Sequence, residues 1–153
     1  SLGDVVSDAV AAAMPLAMAR GVRLVAAPGD WPTVKGSEPE LSRIVANLLL
    51  NAIRHTPSDG TITVTGGRDE AGGWLAVTDA CGGIPESDLP RVFDVAFRGE
   101  SARSPQSENV GTGGGAGLGL AIVRGLVEAH RGEVAVSNAA AGCRFLVRIP
   151  AAT

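Results

Sequence analysis

Apolar residues recur at the helical spacing in three long stretches, and alternate with polar ones in most of the segments between them. Residues 4–19, DVVSDAVAAAMPLAMA, read as a helix interrupted near Pro15 and ended by Gly21. The strongest signal covers 38–55. Leu41, Ile44, Val45, Leu48, Leu49, Ala52 and Ile53 make its apolar face, and Glu40, Arg43, Asn47, Asn51 and Arg54 make the opposite one. Ser37 and Glu40 predict a capping box, with Pro39 tolerated in the first turn. A third apolar run starts at Leu118. Its polar residues Arg124, Glu128 and Arg131 form one thin stripe, and Gly132 is expected to stop it.

Strands are predicted at 22–27, 61–66, 74–78, 133–138 and 144–149, with a shorter one at 33–35 and a short helix at 86–93. PGDWP, 57–60 and RDEAGG read as turns. The alternation implies a mixed, mainly antiparallel sheet covered on one face by about three helices, a two-layer α/β sandwich.

Three features carry chemistry. In the stretch 111–119, glycine occupies 111, 113, 114, 115, 117 and 119, immediately before the apolar helix. Backbone N–H groups at a helix start, with no Cβ in the way, suit an anion. Alone, such a loop reads equally well as a linker before a core helix. It lacks the GK[ST] of a Walker loop. Residues 111–116 fit G-x-G-x-x-A, but polar SARSPQSENV precedes them where a dinucleotide site needs a strand. The second feature is the pair Asn47 and Asn51, one turn apart and flanked by Arg43 and Arg54. Asn weakens a helix, so a merely soluble face would favour Lys or Glu, and Asn oxygens can hold a hard cation such as Mg²⁺. The third is Asp79, at a strand end before ACGGIP.

Length and composition narrow the classes. The 153 residues are 45% hydrophobic and 19% charged, which fits one globular domain. With 3% aromatics the core must be built from Val, Leu, Ile and Ala. A net charge of −3 and the lack of a basic cluster argue against nucleic-acid binding. Cys81 and Cys143 lie far apart in sequence without metal-ligand spacing, and are expected to be reduced thiols. No run approaches the roughly 20 apolar residues of a membrane span. The chain opens without Met inside a helical pattern, which predicts a piece of a longer protein.

Four segments then fall into one order. NLLLNAIRHTP at 47–57, DACGGI at 79–84, RVFDVAFR at 91–98 and GAGLGLAIV at 115–123 resemble the N box, first glycine box, phenylalanine box and second glycine box of sensor histidine kinases. The stretch 20–150 therefore resembles their ATP-binding catalytic domain, in the superfamily of gyrase B, Hsp90 and the mismatch-repair protein MutL, with its Bergerat-type fold. The resemblance implies ATP and Mg²⁺ as cofactors. Asn51 would bind Mg²⁺, with Asn47 one turn earlier. Arg54 would lie near the phosphates and His55 beside the nucleotide. Asp79 would accept a hydrogen bond from the adenine amino group, and Gly83 would let the ring approach. Ile84, Arg98, Gly113, Gly115, Gly117, Leu118 and Gly119 would complete the pocket. Residues 94–114 would be the ATP lid, 21–153 the catalytic domain, and 1–20 a helical lead-in from an upstream domain.

The sequence departs from the family pattern at Cys81, Ala96 and Ala116, which stand where Gly, Phe and Thr or Ser are usual. The family's phosphoacceptor histidine is followed by an acidic residue, and neither His55 nor His130 is. No catalytic residue is therefore expected within this chain. The resemblance implies a cytoplasmic domain of a membrane-bound sensor. Its partners would be its own dimerisation and phosphoacceptor domain and a response regulator. The fragment would be monomeric and the full protein a homodimer. His130 is read as a helix C-terminal residue favoured by the dipole.

Overall fold

The computed structural model describes residues 1–27, 29, 31–70, 72–80, 89, 92–93, 115–139 and 142–150, without the side chains of 115–118 and 139. Their elements, in order, are α1 (Leu2–Ala19), β1 (Arg23–Ala26), α2 (Glu38–His55), β2 (Thr61–Asp69), β3 (Gly72–Thr78), α3 (Gly115–Ala129), β4 (Glu133–Ala139) and β5 (Gly142–Pro150). The five strands form one sheet in the order β1-β2-β3-β5-β4. β1 runs parallel to β2, and the other three pairings are antiparallel. A parallel pair needs a long crossover, and α2 supplies it between β1 and β2.

Register aligns one apolar row across the sheet. Leu24 stands beside Ile62, Val64 beside Val77, Val77 beside Phe145, and Val136 beside Phe145. Ile62, Val64, Leu75, Val77, Phe145 and Val147 are buried in the same cluster as the apolar faces of all three described helices. On the opposite face Thr63, Trp74 and Arg148 are half-buried, and the small Ala76 is fully covered. The expected one-sided sandwich is what the chain forms. α2 anchors it with seven buried apolar side chains, each worth about 1.5–3 kcal/mol for the larger ones.

Helix ends differ from expectation in instructive ways. α1 is continuous through Pro15, which is exposed, so water can serve the carbonyl that its missing N–H leaves free. It begins at Leu2, because the Ser1 side chain accepts from Asp4 N–H and caps it. By length and a mean hydropathy of 1.4 it could cross a membrane, but Leu2, Val5, Val6, Ala9 and Ala17 lie in the core. Gly21 ends it as expected, at φ 70°, with Val22 N–H bonded to Ala17 O and Gly21 N–H to Met18 O.

The capping box of α2 is only half made. Ser37 Oγ accepts from Glu40 N–H at 3.4 Å, but Ser37 N–H donates to His130 Nε2 at 3.1 Å. His130 Nδ1 lies 2.8 Å from Leu126 O, so the ring bridges the end of α3 to the start of α2. His130 Nε2 also lies 3.8 Å from Glu40 Oε1. His130 thus stands at the C-terminal end of α3, where it was expected, and its ring also staples that end to α2.

Other boundaries also shift. β2 reaches Asp69 and β3 begins at Gly72, leaving a two-residue connection, and Arg148 pairs with Asp69 across the sheet. Gly66 leaves room for the Trp31 ring, which a Cβ there would strike. The strand expected at 33–35 is a single bridge residue, Val34. Of the short helix expected at 86–93, only Leu89, Val92 and Phe93 are described. Val92 is buried, and Phe93 meets Phe145 edge-on at 5.9 Å.

At the end of α3, Arg131 rather than Gly132 takes the left-handed position, at φ 62°. Arg131 N–H bonds Glu128 O and Gly132 N–H bonds Val127 O. Gly132 is needed for another reason: a Cβ there would sit 2.2 Å from Arg148 O on β5. Arg131→Gly should stabilise the domain by about 1 kcal/mol, because the left-handed region strains any residue with a Cβ. Gly132→Ala should destabilise it by more than about 1 kcal/mol. Urea denaturation of both variants checks this, and the opposite pair of signs would contradict the assignment.

Candidate nucleotide-binding site

The polar face of α2 meets the start of α3. A Cβ on buried Gly119 would lie 3.8 Å from Asn47 Oδ1, so the carboxamide rests on that first stretch of helix. Asn47 Nδ2 is buried and makes no hydrogen bond among the described residues. A buried amide hydrogen without an acceptor costs about 1–3 kcal/mol, so its retention points to a ligand or solvent on that side. Asn51, Arg54 and His55 follow on the last turns of α2, all half-buried. α3 begins at Gly115, earlier than the apolar pattern suggested, so Gly115, Gly117 and Gly119 lie within its first turns. Its leading N–H groups have no partner within the helix, which is the property that favours an anion there.

Asp79 follows β3 directly and is only 5% exposed. Its backbone N–H donates to Cys143 O at 2.9 Å, and its Oδ1 accepts from Cys143 N–H at 3.2 Å. Its second oxygen, Oδ2, is buried as well. Gly142 makes this approach feasible, since a Cβ there would overlap Asp79 O. On the other side, Thr56 Oγ1 accepts from Ala80 N–H at 3.4 Å. The residue after α2 and the residue after Asp79 are thereby tied together. An open cavity of about 650 Å³ lies at this junction, lined by Arg20, Arg54, His55, Thr56, Pro57, Ser58 and Ala80.

His55 sits at the cavity with its imidazole pushed below the ordinary value. Burial is the main cause, followed by the guanidiniums of Arg54 and then Arg20. The ring is therefore neutral near pH 7 and offers a flat, partly apolar face.

Several expected site residues come together: Asn47 with Gly119, Asn51 and Arg54 on the same helix face, and His55, Arg54 and Ala80 around one cavity. Gly83, Ile84, Arg98 and Gly113 lie outside the described residues, as does the side chain of Leu118. The proposed lid, 94–114, lies outside them too. Sequence reasoning gave no role to Arg20, Thr56, Gly142 or Cys143. Thr56 stood inside a quoted motif, but nothing along the chain marks the other three as neighbours of Asp79 or His55. The expectation of two reduced thiols fails for Cys143, which is disulfide-bonded. The one other cysteine, Cys81, lies outside the described residues.

Comparison with known proteins places this geometry in a family. Residues 36–153 match the model of the histidine kinase-, DNA gyrase B- and HSP90-like ATPases. The chain is 39% identical over 136 residues to the sensor histidine kinase CusS of Escherichia coli, covering 89% of this chain and 27% of CusS. The mycobacterial sensor histidine kinase MprB superposes with a TM-score of 0.79 at 30% identity, covering 97% of this chain and 94% of that one. Full-length ShkA in complex with AMPPNP superposes at 0.82 and 26% identity, covering all of this chain (100%) and 30% of ShkA. The chain belongs to this ATPase family. Within it, the chain is the ATP-binding catalytic domain of the sensor histidine kinase type, and it spans about a quarter of the curated relatives it matches.

The state of His55 generates a pH prediction. Its folded-state value lies below its unfolded one, so the unfolded chain binds the proton more readily. Its contribution is fully favourable above the ordinary value of 6.5 and is lost as pH falls from there through the folded value. His55→Gln should therefore lose less stability than the parent between pH 7.5 and pH 5.5, measured by urea denaturation. An equal loss in both proteins would mean that the ring is not held beside the two guanidiniums.

Proposed function

We propose that the domain binds Mg²⁺-ATP and donates the γ-phosphate to a histidine on a dimerisation domain that lies outside this chain. The observation that carries the reading is a buried carboxylate, Asp79, locked at a strand end beside a cavity rimmed by Arg54 and His55. One end of such a site suits a base with an amino group, and the other suits phosphates. Asp79 accepts from the adenine amino group, with Gly83 and Ile84 against the ring and His55 beside the nucleotide. Arg54, Arg98, Gly113 and the glycines and Leu118 at the start of α3 hold the phosphates. Segment 94–114 serves as the lid.

The Asn51 side-chain oxygen takes the Mg²⁺, with Asn47 supporting it one turn earlier. A neutral oxygen on a half-buried helix face fits a small hard cation that keeps its remaining positions for water and phosphate oxygens. When bound, the ion offsets charge on the phosphates. In this chain, Asn47 also orders the α2–α3 junction through its contact with Gly119.

In the full-length protein the domain works within a homodimer, and a response regulator receives the phosphoryl group. We place the connection to the dimerisation domain ahead of α1, and the whole catalytic portion on the cytoplasmic side of a membrane-bound sensor. The isolated fragment is monomeric and does not phosphorylate itself, since the acceptor histidine is elsewhere.

A clamp-type ATPase of the same family is the rival. Water attack profits from a general base one helical turn before the metal-binding residue, and here that position holds Asn47, which cannot take a proton at neutral pH. The nearest carboxylate on this face of α2 is Glu40, about 16 Å away along the axis at 1.5 Å per residue. Missing a general base typically costs about 10²–10⁴-fold in rate. The isolated domain should release phosphate very slowly, yet phosphorylate a histidine-bearing helical dimerisation domain added in trans. Fast hydrolysis without transfer would favour the clamp ATPase. Asp79→Ala should weaken ATP binding about 10- to 150-fold by calorimetry, the range for losing a hydrogen bond to a charged group. Unchanged affinity would remove Asp79 from the site.

A further inference from the structure

Thr56 follows α2 directly and is only 4% exposed, while Arg54 and His55 just before it are half-buried. A hydroxyl that is taken out of water needs a hydrogen bond to offset its desolvation. Here Oγ1 accepts from Ala80 N–H at 3.4 Å. Thr56 N–H donates to Ala52 O at 3.0 Å, so its backbone is still anchored on the last turn of the helix.

The turn that follows decides where this hydroxyl points. A Cβ on Gly60 would lie 2.5 Å from Thr56 Cγ2 and 3.5 Å from the Ala80 Cβ. With the methyl held against the bare backbone of Gly60, the hydroxyl is left to face Ala80. Gly60 is itself fixed, since its N–H donates to Pro57 O at 2.9 Å and its carbonyl accepts from Arg23 N–H at 2.9 Å. Asp59 N–H donates to Gly21 O at 2.8 Å. The turn after α2 and the α1–β1 turn are thus stitched together, and Thr56 is held from behind.

What Thr56 holds is the peptide plane between Asp79 and Ala80. That plane is rigid and carries Asp79 O at one end and Ala80 N–H at the other. The N–H end goes to Thr56 Oγ1, and the O end lies against Gly142, where a Cβ would overlap it. The preceding plane is fixed by Asp79 N–H, which donates to Cys143 O at 2.9 Å. Both backbone dihedrals of Asp79 are therefore set, and they decide the direction in which its carboxylate leaves the chain. β5 holds one side of this residue, and Thr56 holds the other.

We propose that Thr56 is a positioning residue for base recognition: through Ala80 it aims the Asp79 carboxylate, and so helps to tell an amino group from a carbonyl on the base. This rests on the nucleotide reading given above. Thr56 acts here through Asp79 and not by touching the base. A simpler role is open to any buried hydroxyl, namely satisfying Ala80 N–H for the sake of stability. That role would leave the choice between two bases unchanged, which makes the two separable.

The test is calorimetry with Mg²⁺-ATP and with the Mg²⁺ complex of inosine triphosphate, whose base has a carbonyl oxygen in place of the amino group. The proteins are the parent chain, Thr56→Val, Thr56→Ala and Thr56→Ser, each also unfolded in urea. Val keeps the shape and removes the hydroxyl, Ser keeps the hydroxyl and removes the methyl, and Ala serves the same end as Val should Thr56→Val not fold. Thr56→Val and Thr56→Ala should lower the preference for ATP about 3- to 10-fold, the range for losing one neutral hydrogen bond. Thr56→Ser should lose stability, because its methyl no longer fills the space at Gly60, yet keep the parent's preference. A preference that survives removal of the hydroxyl, or one that Thr56→Ser loses as fully as Thr56→Val, overturns the assignment of Thr56 while the reading of Asp79 stands. A parent chain that binds the two nucleotides equally overturns the reading of Asp79, and Thr56 with it.

Discussion

The site depends on one constraint: α2 must satisfy two environments on a single 3.6-residue period. Leu41, Ile44, Leu48, Ala52 and Ile53 point into the core against the sheet, and that burial fixes the helix rotation. Asn47, Asn51 and Arg54 then have no freedom in where they stand. Asn47 meets Gly119 on α3, and Arg54 reaches the cavity at the C-terminal end. A change of rotation that moved the polar face would also pull large apolar side chains from the core. The stability of the helix and the aim of its polar face are thus one requirement.

The sheet provides the other half of the site through the seam between β3 and β5. Asp79 and Cys143 exchange two hydrogen bonds there, one backbone to backbone and one to the carboxylate. A buried carboxylate needs such donors, and a rigid one also presents its remaining oxygen in a set direction. Gly142 is the enabling residue, since any side chain would separate the strand from Asp79 O. On the far side, Thr56 ties the end of α2 to Ala80, so that helix and sheet contributions share one frame.

Much of this was legible in the sequence because it is local or periodic. The two faces of α2 follow from spacing, the end of α1 from Gly21, and the one-sided sheet from alternation. The functional class was legible from four ordered motifs, where the glycine run alone decided nothing. What could not be read depends on partners distant along the chain. Ser37 N–H goes to His130, 93 residues away, so a local capping box could be only half right. Arg131 takes the left-handed position while Gly132 sits against Arg148 O, and a helix-end glycine in sequence does not say which demand it meets. Pro15 was expected to interrupt a helix that in fact continues, its exposure making the lost bond tolerable. Arg20 reaches the cavity only because two turns are stitched together across the fold.

The central claim is that Asp79 reads the adenine amino group, and replacing that group on the ligand tests it while leaving the protein unaltered. Inosine triphosphate carries the same ribose and phosphates, with a carbonyl oxygen where ATP has the amino group. Calorimetric titration of the unaltered domain with each, at matched Mg²⁺ and salt, should show ATP binding tighter by about tenfold or more, since a lost donor faces a buried acceptor. Equal affinities would contradict the account, because the carboxylate could not then be what distinguishes the base.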